Sequence, residues 1–181
     1  MKKKNMIIGL IIAIVIMAID QIIKFIVTSN MKLESEIKIF GDVFTLHYIR
    51  NTGSAWGMLS GHTVILIIVS IFAILVIGYV YMNIYQPRYL ALRLCLAMIL
   101  GGALGNLVDR VRLKYVVDYL YFKLIDFPVF NFADIFVTVP VILMVLLVIF
   151  KYKGDDFDVI MGDMILTDDG EYIEKRSRKE K

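Results

Sequence analysis

The stretch TVILIIVSIFAILVIGYVYM, residues 63–82, contains no charged side chain. An α-helix rises about 1.5 Å per residue, so this stretch is about as long as the hydrocarbon core of a bilayer is thick. Three further apolar runs lie at about 6–27, 89–108 and 133–150. Together the four runs predict an all-α integral membrane protein with four transmembrane helices.

The overall composition also indicates that the membrane is the solvent. Of the 181 residues, 59% are hydrophobic and 20% are charged, a balance shifted away from that of soluble domains. The single hydrophobic core of a soluble protein of this size is too small to bury four apolar helices of bilayer length. The net charge of +3 forms no basic stripe with interleaved aromatic residues, so no nucleic-acid partner is expected.

The first run resembles a secretory signal peptide, because three lysines at residues 2–4 precede it. It lacks a small-x-small cleavage site, and we interpret it as a retained helix. One cysteine, Cys95, excludes a disulfide framework within the chain. Two histidines, His47 and His62, are too few for a histidine-built metal centre.

Four spans place both termini on one side of the membrane. Basic residues flank both faces about equally, but the lysines at 2–4 precede the first helix, which usually dominates the orientation. We therefore expect both termini in the cytoplasm. Residues 1–154 are predicted to form the membrane domain, and the charged tail 155–181 is expected to be disordered or weakly amphipathic.

Two segments, 28–61 and 109–131, then lie outside. In the first, alternating residues at 37–40 and 43–49 flank Gly41 and Asp42, a pattern typical of a small β-hairpin. The second is rich in aromatic residues and indicates a short element in the membrane interface.

Most ionisable side chains of the spans lie near their outer ends, and a charge in hydrocarbon usually marks a paired or functional site. Asp20 and Lys24 are spaced to form an i,i+4 ion pair. Arg110 either neutralises Asp109 or orients a substrate carbonyl. Asn51 either forms a turn or binds a substrate backbone.

Asp118 and Asp134 have apolar neighbours, which favours shifted pKa values. Two carboxylates brought close together share one proton, as in aspartyl proteases. Spacing alone does not choose this pair over Asp109 with Asp134. It also leaves open a small four-helix transporter with proton-relay carboxylates, or a structural membrane protein.

Five motifs in order resemble those of the lipoprotein signal peptidases, also called signal peptidase II. They are DQIIK at 20–24, NTGSAWG at 51–57, GGALGNLVDR at 101–110, VDY at 117–119 and FNFAD at 130–134. Their order on four predicted spans makes the match specific. Tyr119 stands where many relatives have phenylalanine, and the tail is longer than the catalytic core requires.

The resemblance implies a bacterial inner-membrane aspartyl endopeptidase, acting near the extracytoplasmic face without metal or cofactor. Its substrates would be diacylglyceryl-modified prolipoproteins, cut just before the lipidated cysteine. The expected partners are this substrate and membrane lipids, and we expect a monomer. By motif position Asp118 and Asp134 are the catalytic dyad. The supporting or substrate-binding positions are Asp20, Lys24, Asn51, Gly53, Gly105, Asn106, Asp109, Arg110, Asn131 and Ala133.

Overall fold

The computed structural model describes residues 2–53, 58–167 and 170–174. Four of its helices are long and apolar enough to cross a membrane. They are α1 (Lys2–Asn30), α2 (Thr63–Asn83), α3 (Leu90–Leu113, preceded by a 3-10 turn at Pro87–Tyr89) and α4 (Phe132–Phe150). The predicted spans are confirmed, and α1 and α3 continue a turn or so beyond their apolar runs.

Helix α3 is the central helix of the bundle and packs against the other three spans. Small residues make this possible, because they let neighbouring backbones approach closely. A Cβ atom added at Gly102 would collide with the carbonyl oxygen of Ala133 in α4. One added at Gly105 would lie 2.5 Å from the Asp20 carboxylate of α1. These glycines therefore fix the spacing of α1, α3 and α4.

The outward faces of the helices are apolar. Phe25, Phe72 and Phe150 are 71%, 68% and 75% exposed, respectively. Exposing so much contiguous apolar surface to water is unfavourable, whereas lipid acyl chains solvate it. The exposure pattern thus agrees with the hydropathy of the sequence.

A three-stranded antiparallel sheet covers one end of the bundle, called the sheet end below. The predicted hairpin is confirmed as β1 (Glu36–Phe40) and β2 (Phe44–Asn51), joined by a turn in which Gly41 has a φ of 56°. Strand β3 (Val116–Tyr121) pairs with the other edge of β2. This third strand was not predicted, because its first four residues are buried and its sequence therefore shows no polar alternation.

The expectation of a disordered or weakly amphipathic tail is wrong for the described part of that segment. Helix α5 (Asp155–Met161) is followed by β4 (Met164–Leu166) and β5 (Tyr172–Glu174), which form a hairpin. Val159 and Leu166 are buried against the opposite end of the bundle, called the tail end below. The sequence did not predict this packing, because the apolar residues of the tail are isolated and their partners lie in elements that are distant in sequence.

Helix α5 and strands β4 and β5 are called the tail unit below. Asp156 holds this unit at one position on the bundle. Its buried carboxylate accepts hydrogen bonds from the Arg88 guanidinium at 2.6 and 2.7 Å. The hydroxyls of Tyr89 and Tyr172 donate to it at 2.7 and 2.9 Å. Burial alone would raise the pKa of Asp156, but these hydrogen bonds outweigh burial and hold it well below its ordinary value.

Candidate active site

Asp118 and Asp134 reach the same cleft from different elements. Asp118 is in the middle of β3, and Asp134 is in the first turn of α4. The cleft has a volume of about 450 Å³ and lies at the sheet end of the bundle. Its polar lining consists of Asn51, Asn106, Arg110, Asp118, Asp134 and Thr138. Residues 127–130 form an apolar wall.

Asn131 connects the two aspartates. It is the N-cap of α4, and its side chain accepts the backbone N–H of Asp134 at 3.1 Å. In return, the Asn131 backbone N–H donates to Asp134 Oδ2 at 3.0 Å, which completes a capping box. The Asn131 amide also donates to Asp118 Oδ1 at 2.7 Å. One residue thus fixes the position of both carboxyl groups.

Two further asparagine amides complete the hydrogen bonding of the pair. Asn51 Nδ2 donates to Asp118 Oδ2 at 2.8 Å, and Asn106 Nδ2 donates to Asp134 Oδ1 at 2.7 Å. Each of the four carboxylate oxygens therefore accepts one N–H. Asn51 also forms the expected turn, because its side-chain oxygen accepts the backbone N–H of Gly53 at 2.9 Å.

A buried ionic cluster lies behind the pair. Lys24 Nζ lies 2.9 Å from carboxylate oxygens of both Asp20 and Asp109, which confirms the predicted i,i+4 ion pair and extends it to α3. The same ammonium group donates to Asn106 Oδ1 at 2.9 Å. Because a buried carboxylate needs a partner, Lys24 serves as the shared cation of Asp20 and Asp109.

The cluster also holds the backbone beside each aspartate. Asp20 accepts the N–H of Ala133, the residue before Asp134, at 3.1 Å. Asp109 accepts the N–H of Val117, the residue before Asp118, at 3.1 Å. The two supporting carboxylates therefore position the two elements that carry the pair.

Asp109 and Arg110 have different partners in the structure. The Asp109 carboxylate is paired with Lys24 and accepts Gln21 Nε2 at 3.0 Å. Arg110 instead lines the cleft and donates to the Gly53 carbonyl at 3.3 Å. Its other N–H groups make no hydrogen bond within residues 2–53, 58–167 and 170–174, so among these residues they remain available to a molecule in the cleft.

Some features of the predicted motifs are placed differently or not described. Trp56 and the rest of residues 54–57 lie outside the described residues. The side chain of Tyr119, which many relatives replace by phenylalanine, is buried, and its hydroxyl oxygen accepts the N–H of Phe132 at 3.2 Å. Gln21 and Thr138 were missed, although Gln21 belongs to the first motif and Thr138 is the one hydroxyl in its apolar run.

Burial changes the ionisation of Asp118. Desolvation raises its pKa, and the negative charge of Asp134 raises it further, to about 7. The hydrogen bonds from Asn51 and Asn131 oppose this shift but do not cancel it. The pair can therefore hold one proton near neutral pH, which suits a water-activating dyad.

Comparison with known proteins agrees with this geometry. The family model described as signal peptidase (SPase) II matches residues 12–150. The lipoprotein signal peptidase of Symbiobacterium thermophilum is 42% identical, and the alignment covers 81% of this chain and 97% of that protein. The lipoprotein signal peptidase of Clostridioides difficile is 41% identical, over 78% of this chain and 94% of that protein.

Among solved structures, a bacterial membrane enzyme determined by the in meso method at 2.3 Å resolution superimposes with a TM-score of 0.73. It is 30% identical, and the match covers 81% of this chain and 93% of that one. The family match includes most of α1, all of α2, α3 and α4, and every residue that lines the cleft. The chain therefore belongs to the signal peptidase II family.

Proposed function

We propose that Asp118 and Asp134 are the catalytic pair with which this signal peptidase II removes the signal peptides of diacylglyceryl-modified prolipoproteins. The single observation that carries the proposal is their arrangement. Two carboxyl groups from different elements line one cleft, and each of their four oxygens accepts one amide N–H. The names of the relatives supply the class of substrate.

The chemistry follows from one shared proton. The ionised carboxylate takes a proton from a water molecule, and the water oxygen attacks the scissile carbonyl carbon. The protonated partner donates a hydrogen bond to the carbonyl oxygen. When the tetrahedral intermediate collapses, the C–N bond breaks and the nitrogen receives a proton from the pair, which leaves one proton shared again.

The walls of the cleft match the proposed substrate. Residues 127–130, with the sequence FPVF, provide an apolar surface beside the pair, suitable for a signal peptide or acyl chains. Arg110 provides donors for substrate carbonyls on the same side as Asn106. We propose that Arg110 orients the substrate, while Asn51, Asn106 and Asn131 orient the dyad.

The distribution of charges favours a peptidase over a transporter. Lys24 pairs with both Asp20 and Asp109 at the level of the dyad. Arg93, near the tail end, donates to the carbonyls of residues 84–86 at the end of α2. Arg93 and the cluster of Asp20, Lys24 and Asp109 thus lie near opposite ends of the spans, whereas a proton relay needs ionisable groups across the bilayer.

We propose that the protein lies in the bacterial cytoplasmic membrane with both termini in the cytoplasm and the sheet end outside. The lysines at 2–4 and the site of prolipoprotein processing support this orientation.

Cysteine labelling tests the orientation. Cys95 is buried, so the native protein reacts little with thiol reagents. In intact cells, an impermeant maleimide is expected to label Lys38→Cys and to spare Asp155→Cys; the reverse pattern would contradict this orientation.

We propose that residues 1–154 form the peptidase unit, that it acts as a monomer, and that the tail unit only supports the tail end. We expect Asp156→Asn to lower the free energy of unfolding by about 2–3 kcal/mol, because charge-assisted hydrogen bonds are lost. Exposed Asp155→Asn is the matched control. A drop in kcat at unchanged stability would show that the tail takes part in catalysis.

The pH dependence of cleavage tests whether Asp118 and Asp134 share one proton. Because the pKa of Asp118 is raised to about 7, the singly protonated pair is lost as pH rises above that value. We expect kcat/KM to fall about tenfold per pH unit on the alkaline side. The free energy of unfolding is expected to change in the same direction. Because the pKa of Asp118 is higher in the folded state than in the unfolded state, protonation of Asp118 stabilises the fold, and this stabilisation is lost as pH rises through the folded-state pKa. Constant kcat/KM through about pH 9 would contradict the assignment.

A further inference from the structure

Thr138 is a polar residue that the proposed chemistry does not use. It is the only polar side chain of α4 between Asp134 and Lys151. It lies one helical turn beyond Asp134, is exposed, and lines the same cleft. The remaining residues of this part of α4 are apolar, as expected for a helix that faces lipid.

The hydroxyl of Thr138 has no hydrogen-bond partner among residues 2–53, 58–167 and 170–174. Hydroxyls in membrane helices commonly donate to the carbonyl four residues earlier, as Ser70 does to Leu66 at 2.7 Å. Thr138 does not make this bond. A hydroxyl donor is therefore available on the wall of the cleft.

The position of Thr138 relative to the dyad fits an extended substrate. Four residues along a helix correspond to about 6 Å, so Thr138 lies about 6 Å deeper in the membrane than Asp134. An extended chain advances about 3.3 Å per residue, so this distance spans about two residues. Carbonyls two residues apart in an extended chain point to the same side.

The direction of the substrate is determined by its own chemistry. The signal peptide is the apolar, membrane-spanning part and lies N-terminal to the scissile bond. Residues before that bond therefore lie deeper in the bilayer than the dyad. When the scissile carbonyl faces Asp134, the carbonyl two residues earlier faces Thr138.

We propose that the Thr138 hydroxyl donates a hydrogen bond to the substrate carbonyl two residues N-terminal to the scissile one. The bond would hold the unwound end of the signal peptide in register with the dyad, so Thr138 is a positioning residue. This inference rests on the proposed function, because it takes the dyad as the point of cleavage.

The test compares Thr138→Val, which keeps the shape and loses the hydroxyl, with Thr138→Ser, which keeps the hydroxyl. The substrate is a synthetic diacylglyceryl prolipopeptide. We expect Thr138→Val to lower kcat/KM about three- to tenfold, mainly through KM, and Thr138→Ser to stay near wild type. Thr138→Ala provides a second variant without the hydroxyl, and the melting temperature in detergent reports folding.

A second substrate tests the partner atom. Replacing the amide bond after the proposed acceptor carbonyl by an ester weakens that carbonyl as an acceptor. We expect the ester to slow the wild type more than Thr138→Val. Equal slowing of both proteins, or wild-type kinetics in folded Thr138→Val and Thr138→Ala, would overturn the inference. Because both comparisons use active enzyme, they are independent of the Asp118 and Asp134 variants that test the proposed function.

Discussion

Replacing Asp118 or Asp134 by asparagine is expected to lower the rate of prolipoprotein cleavage by about a thousandfold or more. General acid–base groups contribute about 10²–10⁴-fold each, and here each carboxyl must exchange a proton with the reacting atoms. Asparagine keeps the size of the side chain but neither takes nor donates that proton. The measurement is cleavage of a diacylglyceryl prolipoprotein by each purified variant in detergent.

Two variants serve as controls for this result. Asp42→Asn makes the same chemical change at an exposed turn residue and is expected to leave cleavage unchanged. Asp109→Asn tests the pairing that spacing alone left open. Should folded Asp109→Asn lose all turnover while Asp118→Asn remains active, Asp109 with Asp134 would become the catalytic pair.

Replacing Lys24 by methionine is expected to destabilise the protein by about 3–5 kcal/mol, because it leaves two buried carboxylates without their cation. Asp20 and Lys24 are 0% and 3% exposed. Activity should fall as well, since Asp20 and Asp109 hold the backbone at Ala133 and Val117. Equilibrium unfolding in detergent measures the first effect, and the cleavage assay measures the second.

Lys38→Met is the matched control, because Lys38 forms an i,i+4 ion pair with Asp42 at 2.7 Å in an exposed setting. Exposed pairs contribute little, so this variant should unfold much as the wild type does. Similar destabilisation in the two lysine variants would mean that the buried cluster is not what stabilises the sheet end.

Hydropathy was sufficient to predict the four spans, because a bilayer requires uninterrupted apolar runs. Alternation around Gly41 and Asp42 was sufficient for the hairpin. Strand β3 escaped prediction, since both of its faces are covered and no alternation remains. The tail unit escaped as well, because Asp156 and Val159 find their partners on helices that are distant in sequence.

The candidate site was only partly predictable. The clustering of ionisable residues at one end of the spans was visible in the sequence, but choosing Asp118 with Asp134 required the resemblance to signal peptidase II. The capping box of Asn131 connects the two carboxyl groups through backbone geometry, which spacing does not reveal. The contacts of Gln21 and Thr138 appear only in the packed helices, where Gln21 donates to Asp109 and Thr138 lines the cleft.

The most direct test of the central claim is the mass of the products formed by purified wild-type enzyme in ¹⁸O-labelled water. The substrate is a synthetic diacylglyceryl prolipopeptide. We predict one cut before the lipidated cysteine, one ¹⁸O atom in the new carboxyl group of the signal peptide, and neither product from folded Asp118→Asn or Asp134→Asn. An uncut substrate, or undiminished cleavage by either variant, would contradict a water-activating pair formed by Asp118 and Asp134.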